Sequence, residues 1–299
     1  MILKYIVKEN DKDKTINQMI KEKFSFSNRL FSKLLNNKKI SVNNQNVDTR
    51  IKAKTNDIIR IDLNYEEDNS NIIAKKMNLD IVFEDDAMLI ITKPKEIAVH
   101  PSIKHYEDSI SSGVKYYFNS IGINKKIRPV NRLDLNTSGL IVFAKNEYIQ
   151  ENLIKQMKEN IFTKEYLAIA TGIFDDKVGI IDAPIARKEG SIIERCIDKN
   201  GQKAKTKYEV IKEIGNNSIV KCNLLTGRTH QIRVHMAYIG HPLLGDTLYG
   251  EKNNLIEGQA LHCYKLRFLH PITNEKLEFT SNSNIEQKFE KLLQKVLTK

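Results

Sequence analysis

The sequence predicts an α+β protein in two parts, a small basic module followed by a larger strand-rich domain. Three observations carry this. A polar, acidic stretch without periodicity, Asn64-Tyr65-Glu66-Glu67-Asp68-Asn69-Ser70-Asn71, reads as a linker between two patterned blocks. The block before it joins helical spacing to short alternating segments. The block after it sets strands in hairpins with helices interspersed, not the regular βαβ alternation of a parallel sheet. The expected divisions are residues 1–63 for the module, 64–74 for the linker and 75–299 for the large domain.

In the first block, Ile16, Met19 and Ile20 have helical spacing. Ser27 is placed to cap a second helix carrying Leu30, Phe31, Leu34 and Leu35. Ile40-Ser41-Val42, a turn at Asn43-Asn44-Gln45, and Val47 follow, and Asp57 to Ile61 alternates like a strand. Two short helices and a small hairpin cannot bury much core alone, so the unit reads as a docking module.

In the second block, Ile81-Val82-Phe83 and Met88 to Ile91 flank Glu84-Asp85-Asp86 as a hairpin. The apolar run Gly139 to Ala144 suits a strand buried on both faces. Asn146 is placed to cap a helix with Ile149, Leu153 and Met157 on one face. Further strands are predicted at Tyr166–Ala170, Thr206–Val210 and Ser218–Cys222.

The composition is that of a globular chain, 40% apolar and 28% charged. No stretch approaches the roughly 18 apolar residues of a membrane-spanning helix. Met1 to Asn10 lacks the basic-then-apolar pattern of a secretory signal. Together these predict a cytoplasmic protein. Cys196, Cys222 and Cys263 are too scattered for a disulfide framework or a zinc site, and read as small buried hydrophobes. The net charge is +11. From Lys12 to Asp62 there are nine Lys and three Arg against five acids. That clustering fits a nucleic-acid footprint, and a solvated charged face would also carry it.

The most informative segment is Pro129-Val130-Asn131-Arg132-Leu133-Asp134-Leu135-Asn136-Thr137-Ser138-Gly139-Leu140. By spacing alone, Asp134 is as well explained as a turn carboxylate satisfying local amides. The words Arg-Leu-Asp, Thr-Ser-Gly-Leu and the later Ala-Lys resemble the catalytic motif of the RluA/RluD family of pseudouridine synthases. Lys93-Pro94 and Val99-His100-Pro101-Ser102, Lys164-Glu165-Tyr166-Leu167-Ala168, Leu225 to His235, Gly240 to Asp246, Tyr249-Gly250 and Leu261-His262 match at family spacing. The resemblance covers about residues 75 to 285. It implies a pseudouridine synthase fold with a central mixed, largely antiparallel sheet, and an RNA-modifying isomerase. Asp134 would be the essential aspartate, Arg233 its guanidinium partner, and Tyr166 the ring that stacks on an extruded uracil. Arg132, Arg228 and His230 would contact RNA. Two departures stand out: Asn131 replaces the commonest histidine, and Lys95-Glu96-Ile97 replaces a small residue and glycine.

The chemistry asks for these residue types. Uracil is detached from ribose, turned, and rejoined through carbon 5, with no redox change. An ionised carboxylate serves as nucleophile, on the glycosidic carbon or on the uracil ring. A guanidinium beside it favours the ionised form. His230 and His235 are five apart with no glutamate of a zinc-protease pattern, so no metal is expected; no phosphate-loop or dinucleotide motif is present either. The expected reaction needs no cofactor.

The first block resembles the αL-type, S-four-like RNA-binding module named for a small-subunit ribosomal protein. It implies that Arg29, Lys33, Lys38, Lys39 and Arg50 face phosphates. The module would be mobile on its linker and would raise the local concentration of RNA. The expected partner is structured RNA, in the first place large-subunit ribosomal RNA, met by a monomer away from membranes. Transfer RNA as substrate and a non-catalytic ribosome-assembly factor are the rivals; retention of Asp134 speaks against the second.

Overall fold

The computed structural model describes residues 1–65, 67–101, 107–281 and 285–297. The module contains β1 (Ile2–Ile6), α1 (Ile16–Phe24), α2 (Asn28–Asn36), β2 (Ile40–Val42), β3 (Gln45–Asn46) and β4 (Ile58–Asp62). Its sheet is antiparallel in the order β1-β4-β2-β3. α1 starts at a reciprocal capping box between Thr15 and Gln18, and α2 starts where the Ser27 side chain accepts from the Leu30 amide. The stripes Ile16, Met19, Ile20 and Leu30, Phe31, Leu34 are buried, as are Ile59 and Ile61 of β4. Strand β1 was not expected: Ile2 and Ile6 stay exposed and only Leu3 is buried in it, so no useful alternation marks it.

The larger domain runs β5 (Asp80–Glu84), β6 (Met88–Lys93), α3 (Ile110–Ser120), β7 (Arg128–Pro129), β8 (Ser138–Ala144), α4 (Glu147–Lys158), β9 (Thr163–Thr171) and β10 (Val178–Asp182). It continues with β11 (Ile185–Arg187), β12 (Arg195–Ile197), β13 (Lys205–Ile214), β14 (Asn217–Leu224), α5 (Gln231–Tyr238), β15 (Leu261–Leu269), β16 (Lys276–Thr280) and α6 (Ile285–Leu297). The main sheet has the order β10-β13-β14-β9-β15-β8-β6-β5, with β16 beside β15 and β7 beside β8. Among the described residues its one parallel pairing is β15 with β8, at His262–Ser138 and Cys263–Gly139. The sheet is therefore mixed and largely antiparallel, as expected. β11 and β12 form a separate two-stranded hairpin.

Gly139 makes the parallel junction possible. Its φ is +117°, and a Cβ there would lie 2.2 Å from the Cys263 carbonyl oxygen. Only glycine adopts that backbone at that approach. The order β9-β15-β8 then sets Tyr166, Cys263 and Gly139 side by side across the sheet.

The expected mobile linker is instead packed. The carboxylate of Glu67 accepts from both terminal nitrogens of Arg128 at 2.6 Å and from Lys33 at 3.1 Å. Asn69 donates to the Lys125 carbonyl at 2.8 Å, and Ile72 is buried. The module itself rests on α4: the Ser27 hydroxyl donates to Glu151 at 2.6 Å, Lys33 reaches Glu147 at 2.9 Å, and Phe26 meets Tyr148 edge-on at 5.0 Å. A polar composition suggested solvent exposure, but here the polar groups find partners on the domain surface. Glu66 and Ser102 lie outside the described residues.

Candidate active site

Asp134 sits on the loop between β7 and β8, which the side chains of Asn131, Thr137 and Lys93 fix in place. Asn131 is buried and behaves as an extra strand residue, donating to the Leu140 carbonyl at 3.1 Å and accepting from the Val142 amide at 2.9 Å. This is what the side chain does at the position where the family's histidine is commonest. The Thr137 amide donates to the Asp134 carbonyl at 3.1 Å, and the Thr137 hydroxyl accepts from Gln259 at 3.0 Å. Lys93, 0% exposed, donates to the carbonyls of Pro94, Ile97 and Leu135 at 2.8, 2.8 and 3.0 Å. Burial pushes its pKa down to about 8, against the pull of Asp134. At Glu96 the φ of 63° shows that the turn keeps a left-handed residue without the family's glycine.

Arg233, in the first turn of α5, faces that loop. Its Nη1 lies 3.3 Å from Asp134 Oδ2. Its Nε and Nη2 grip the buried Asp246 at 2.7 and 2.8 Å. Burial opposes the guanidinium charge, but Asp246 and then Asp134 outweigh it, and the Arg233 pKa stands above its ordinary value. The turn ahead of α5 is organised by Gln231, whose side-chain oxygen accepts from Thr226 Oγ1 at 2.7 Å and from the Arg228 amide at 3.0 Å. His230 Nε2 is 3.9 Å from Asp134 Oδ2. Both neighbours approach Oδ2, so Oδ1 lies outside these contacts.

These groups line a cleft of about 940 Å³. Asp134, Tyr166, Arg233, Arg132, Arg228 and His230 all border it, as do Lys158 and Lys164. Tyr166 is buried in β9; burial first, then Cys263 and Asp134, hold its phenol well above the ordinary pKa, so the hydroxyl keeps its proton. Arg132 and Arg228 are exposed at the rim, and Arg228 Nε donates to the Lys203 carbonyl at 3.0 Å. Burial lowers the pKa of Lys164, which shares its strand with Tyr166.

The five module cations do not border the cleft. The Arg29 side chain is 87% exposed, with Glu147 at 3.7 Å. Lys38 is exposed. Lys39 is held by Asp62 at 3.1 Å, and Arg50 is exposed and forked onto Asp48. Lys33 is a correction: its ammonium lies between Glu67 and Glu147 and joins the module to the domain instead of facing phosphates. His235 is buried against Thr206 and the Ala183 carbonyl, both at 2.9 Å. Lys93, Asp246 and Tyr249 were not expected as site residues, although each stands in a segment that matched the family. Among the described residues, no three His, Cys, Asp or Glu side chains group as a metal site.

The sheet brings an Asp–Arg pair and a buried tyrosine to one basic cleft, and similarity to known proteins gives the enzyme class. The RNA pseudouridylate synthase family profile matches residues 87–238. RNA pseudouridine synthase YjbO of Bacillus subtilis is 37% identical over 240 residues, 80% of this chain and 85% of its own length. Ribosomal large subunit pseudouridine synthase D of Vibrio parahaemolyticus is 36% identical over 295 residues, 93% and 90% of the two chains. The structure of human RNA pseudouridylate synthase domain containing 1 superposes with a TM-score of 0.58 at 25% identity, covering 72% of this chain and 94% of that one. The chain belongs to the RNA pseudouridine synthase family. It is an isomerase that converts uridine in RNA to pseudouridine.

Proposed function

We propose that this synthase modifies uridines of large-subunit ribosomal RNA, with Asp134 as the nucleophile. The carrying observation is the Asp134–Arg233 contact of 3.3 Å inside the cleft that Tyr166 also borders. In the reaction the N1–C1′ bond breaks and the C5–C1′ bond forms, while C5 gives up a proton and N1 gains one. Asp134 supplies the attacking electron pair, and the bond it forms, to C1′ or to the uracil ring, breaks again before product leaves, which returns the free carboxylate. Arg233, clamped by Asp246, orients the carboxylate. Tyr166 stacks on the uracil, which must leave its helix to be reached. Arg132 and Arg228 at the rim take phosphates. The atoms balance without an oxidant or reductant, so the reaction calls for no redox cofactor.

The ribosomal assignment rests on relatives named for the large subunit, such as the Vibrio parahaemolyticus protein. Residues 1–63 act as an S-four-like RNA-binding module with Arg29, Lys38, Lys39 and Arg50 outward, 64–74 as its connector, and 75–299 as the catalytic domain, in a cytoplasmic monomer. No helix among the described residues is long and apolar enough to cross a membrane. Mapping pseudouridine across all RNAs of cells with and without the protein tests the substrate. Loss at one or more large-subunit uridines is expected; loss confined to transfer RNA overturns the ribosomal reading.

A further inference from the structure

Tyr249 joins three parts of the site. Its hydroxyl accepts from the Arg195 amide, at the start of β12, at 2.8 Å. The same oxygen lies 2.8 Å from His230 Nδ1. Its ring lies under the Arg233 guanidinium, 5.0 Å from the centroid. A phenol has one proton to give. The Arg195 amide and the Arg233 guanidinium are both donors, so among the described contacts His230 Nδ1 is the group that can take that proton; when it does, the proton of the neutral His230 ring sits on Nε2.

That nitrogen faces the cleft. It is 3.9 Å from Asp134 Oδ2, too far for a hydrogen bond, and so remains available to a bound nucleotide. His230 holds φ 58° and ψ 19°, a left-handed conformation at the start of α5. Asp134 and Asp246 face the imidazole with negative charge, Arg233 and Arg195 with positive. Burial lowers the His230 pKa, which keeps the ring neutral near pH 7.

We propose that His230 donates a hydrogen bond from Nε2 to an oxygen of the flipped uridine, and that Tyr249 is the positioning residue that keeps the proton on that nitrogen. This rests on the assignment of the cleft to uridine chemistry. The acceptor is a uracil carbonyl or a ribose hydroxyl, the oxygens a bound uridine offers at that depth.

The tautomer is read without substrate, from the imidazole nitrogen shifts of the intact, ¹⁵N-histidine-labelled protein. Near pH 7, His230 is expected as the neutral Nε2–H form, and Tyr249→Phe is expected to release it to a mixture. An Nδ1–H form or an imidazolium in the unaltered protein overturns the proposal, whatever the enzyme's substrate proves to be. In turnover, His230→Ala should lower kcat about tenfold or more, with RNA affinity within about twofold. His230→Gln, whose amide still donates, should stay within about threefold of the unaltered enzyme. Adding Tyr249→Phe to His230→Gln should cost little more, because an amide has no tautomer to fix. A target 2′-deoxyuridine distinguishes the acceptors: the His230→Ala penalty disappears if the 2′-hydroxyl is bound and persists if another oxygen is. Full activity of His230→Ala, or equal loss in the Ala and Gln variants, overturns the donor role.

Discussion

Arg233 is gripped on one edge by Asp246 and reaches Asp134 with the other. A planar fork can do both; a lysine ammonium cannot. Arg233→Lys is therefore expected to lower kcat by roughly 10–100-fold, about 1.4–2.7 kcal/mol of barrier, with RNA affinity little changed. Single-turnover rates at saturating RNA check this, and an unaffected rate would remove Arg233 from the mechanism. Asp246→Asn leaves the guanidinium buried without its counter-charge and should cost about 3 kcal/mol of stability in urea unfolding. Asp134, Tyr166 and Arg233, which share the cleft, could be singled out in the sequence because each stands in a distinctive run of residues. The work of Asp246 and Tyr249 was not, although their segments were, because a charge clamp is made of contacts distant in sequence. Asn131 was hidden for a related reason: a side chain imitating a strand neighbour leaves no periodic trace.

The loop carrying Asp134 is tied to the end of β6 through Lys93, which holds the Leu135 carbonyl of that loop together with the Pro94 and Ile97 carbonyls of the turn after β6. Near pH 8 this ammonium is about half deprotonated, and the neutral amine has two N–H groups for three carbonyls. Activity should fall along a basic limb near that pH. Its effect on stability has the opposite sign: unfolded Lys93 titrates near 10.5 and folded Lys93 near 8, so the unfolded chain holds more protons between them. This group's contribution to stability therefore rises with pH across that window. Lys93→Met should abolish the basic limb and lower kcat about tenfold. A pH–rate profile identical to that of the unaltered enzyme would show that the tether does not matter. The strands and capped helices of this domain were readable where apolar runs or capping residues marked them, as at β8 and α4. α5 was not, since it begins at a left-handed His230 with no side-chain cap and carries His, Arg and Gln inward. α3 was missed although Ser109 caps it and Ile110, Val114 and Phe118 recur every four residues on its buried face; the small polar Ser111, Ser112 and Gly113, buried between them, dilute the apolar signal.

Across the whole molecule, the notable difference from the sequence reading is that the module is docked. Its basic charge was legible; the pairing of Lys33 with Glu67 and Glu147, and of Glu67 with Arg128, was not, because it joins module, supposed linker and domain across long stretches of sequence. Burial opposes the Glu67 charge, but Arg128 and Lys33 outweigh it and hold its pKa below the ordinary value. Its stabilisation is present above the unfolded pKa and is lost as pH falls through the lower, folded one. Glu67→Gln should cost about 3 kcal/mol at neutral pH and lose less further stability in acid than the unaltered protein. Urea unfolding at both pH values checks this, and equal acid sensitivity would contradict it. Replacing Arg29, Lys38 and Arg50 together by Ala removes the exposed Arg29–Glu147 contact but leaves the Ser27, Phe26 and Lys33 docking contacts intact. It should flatten the dependence of log affinity on log salt by about 2, while saturated single-turnover rates stay within about threefold. An unchanged salt slope would show that the module does not bind RNA.

The account as a whole turns on one carboxylate, and the most direct measurement is to count the pseudouridines that Asp134→Asn forms in ribosomal RNA, with binding measured alongside. The account predicts no product, with RNA affinity within about twofold of the unaltered protein, a change of roughly 0.4 kcal/mol. Sustained product formation by the pure variant would contradict it.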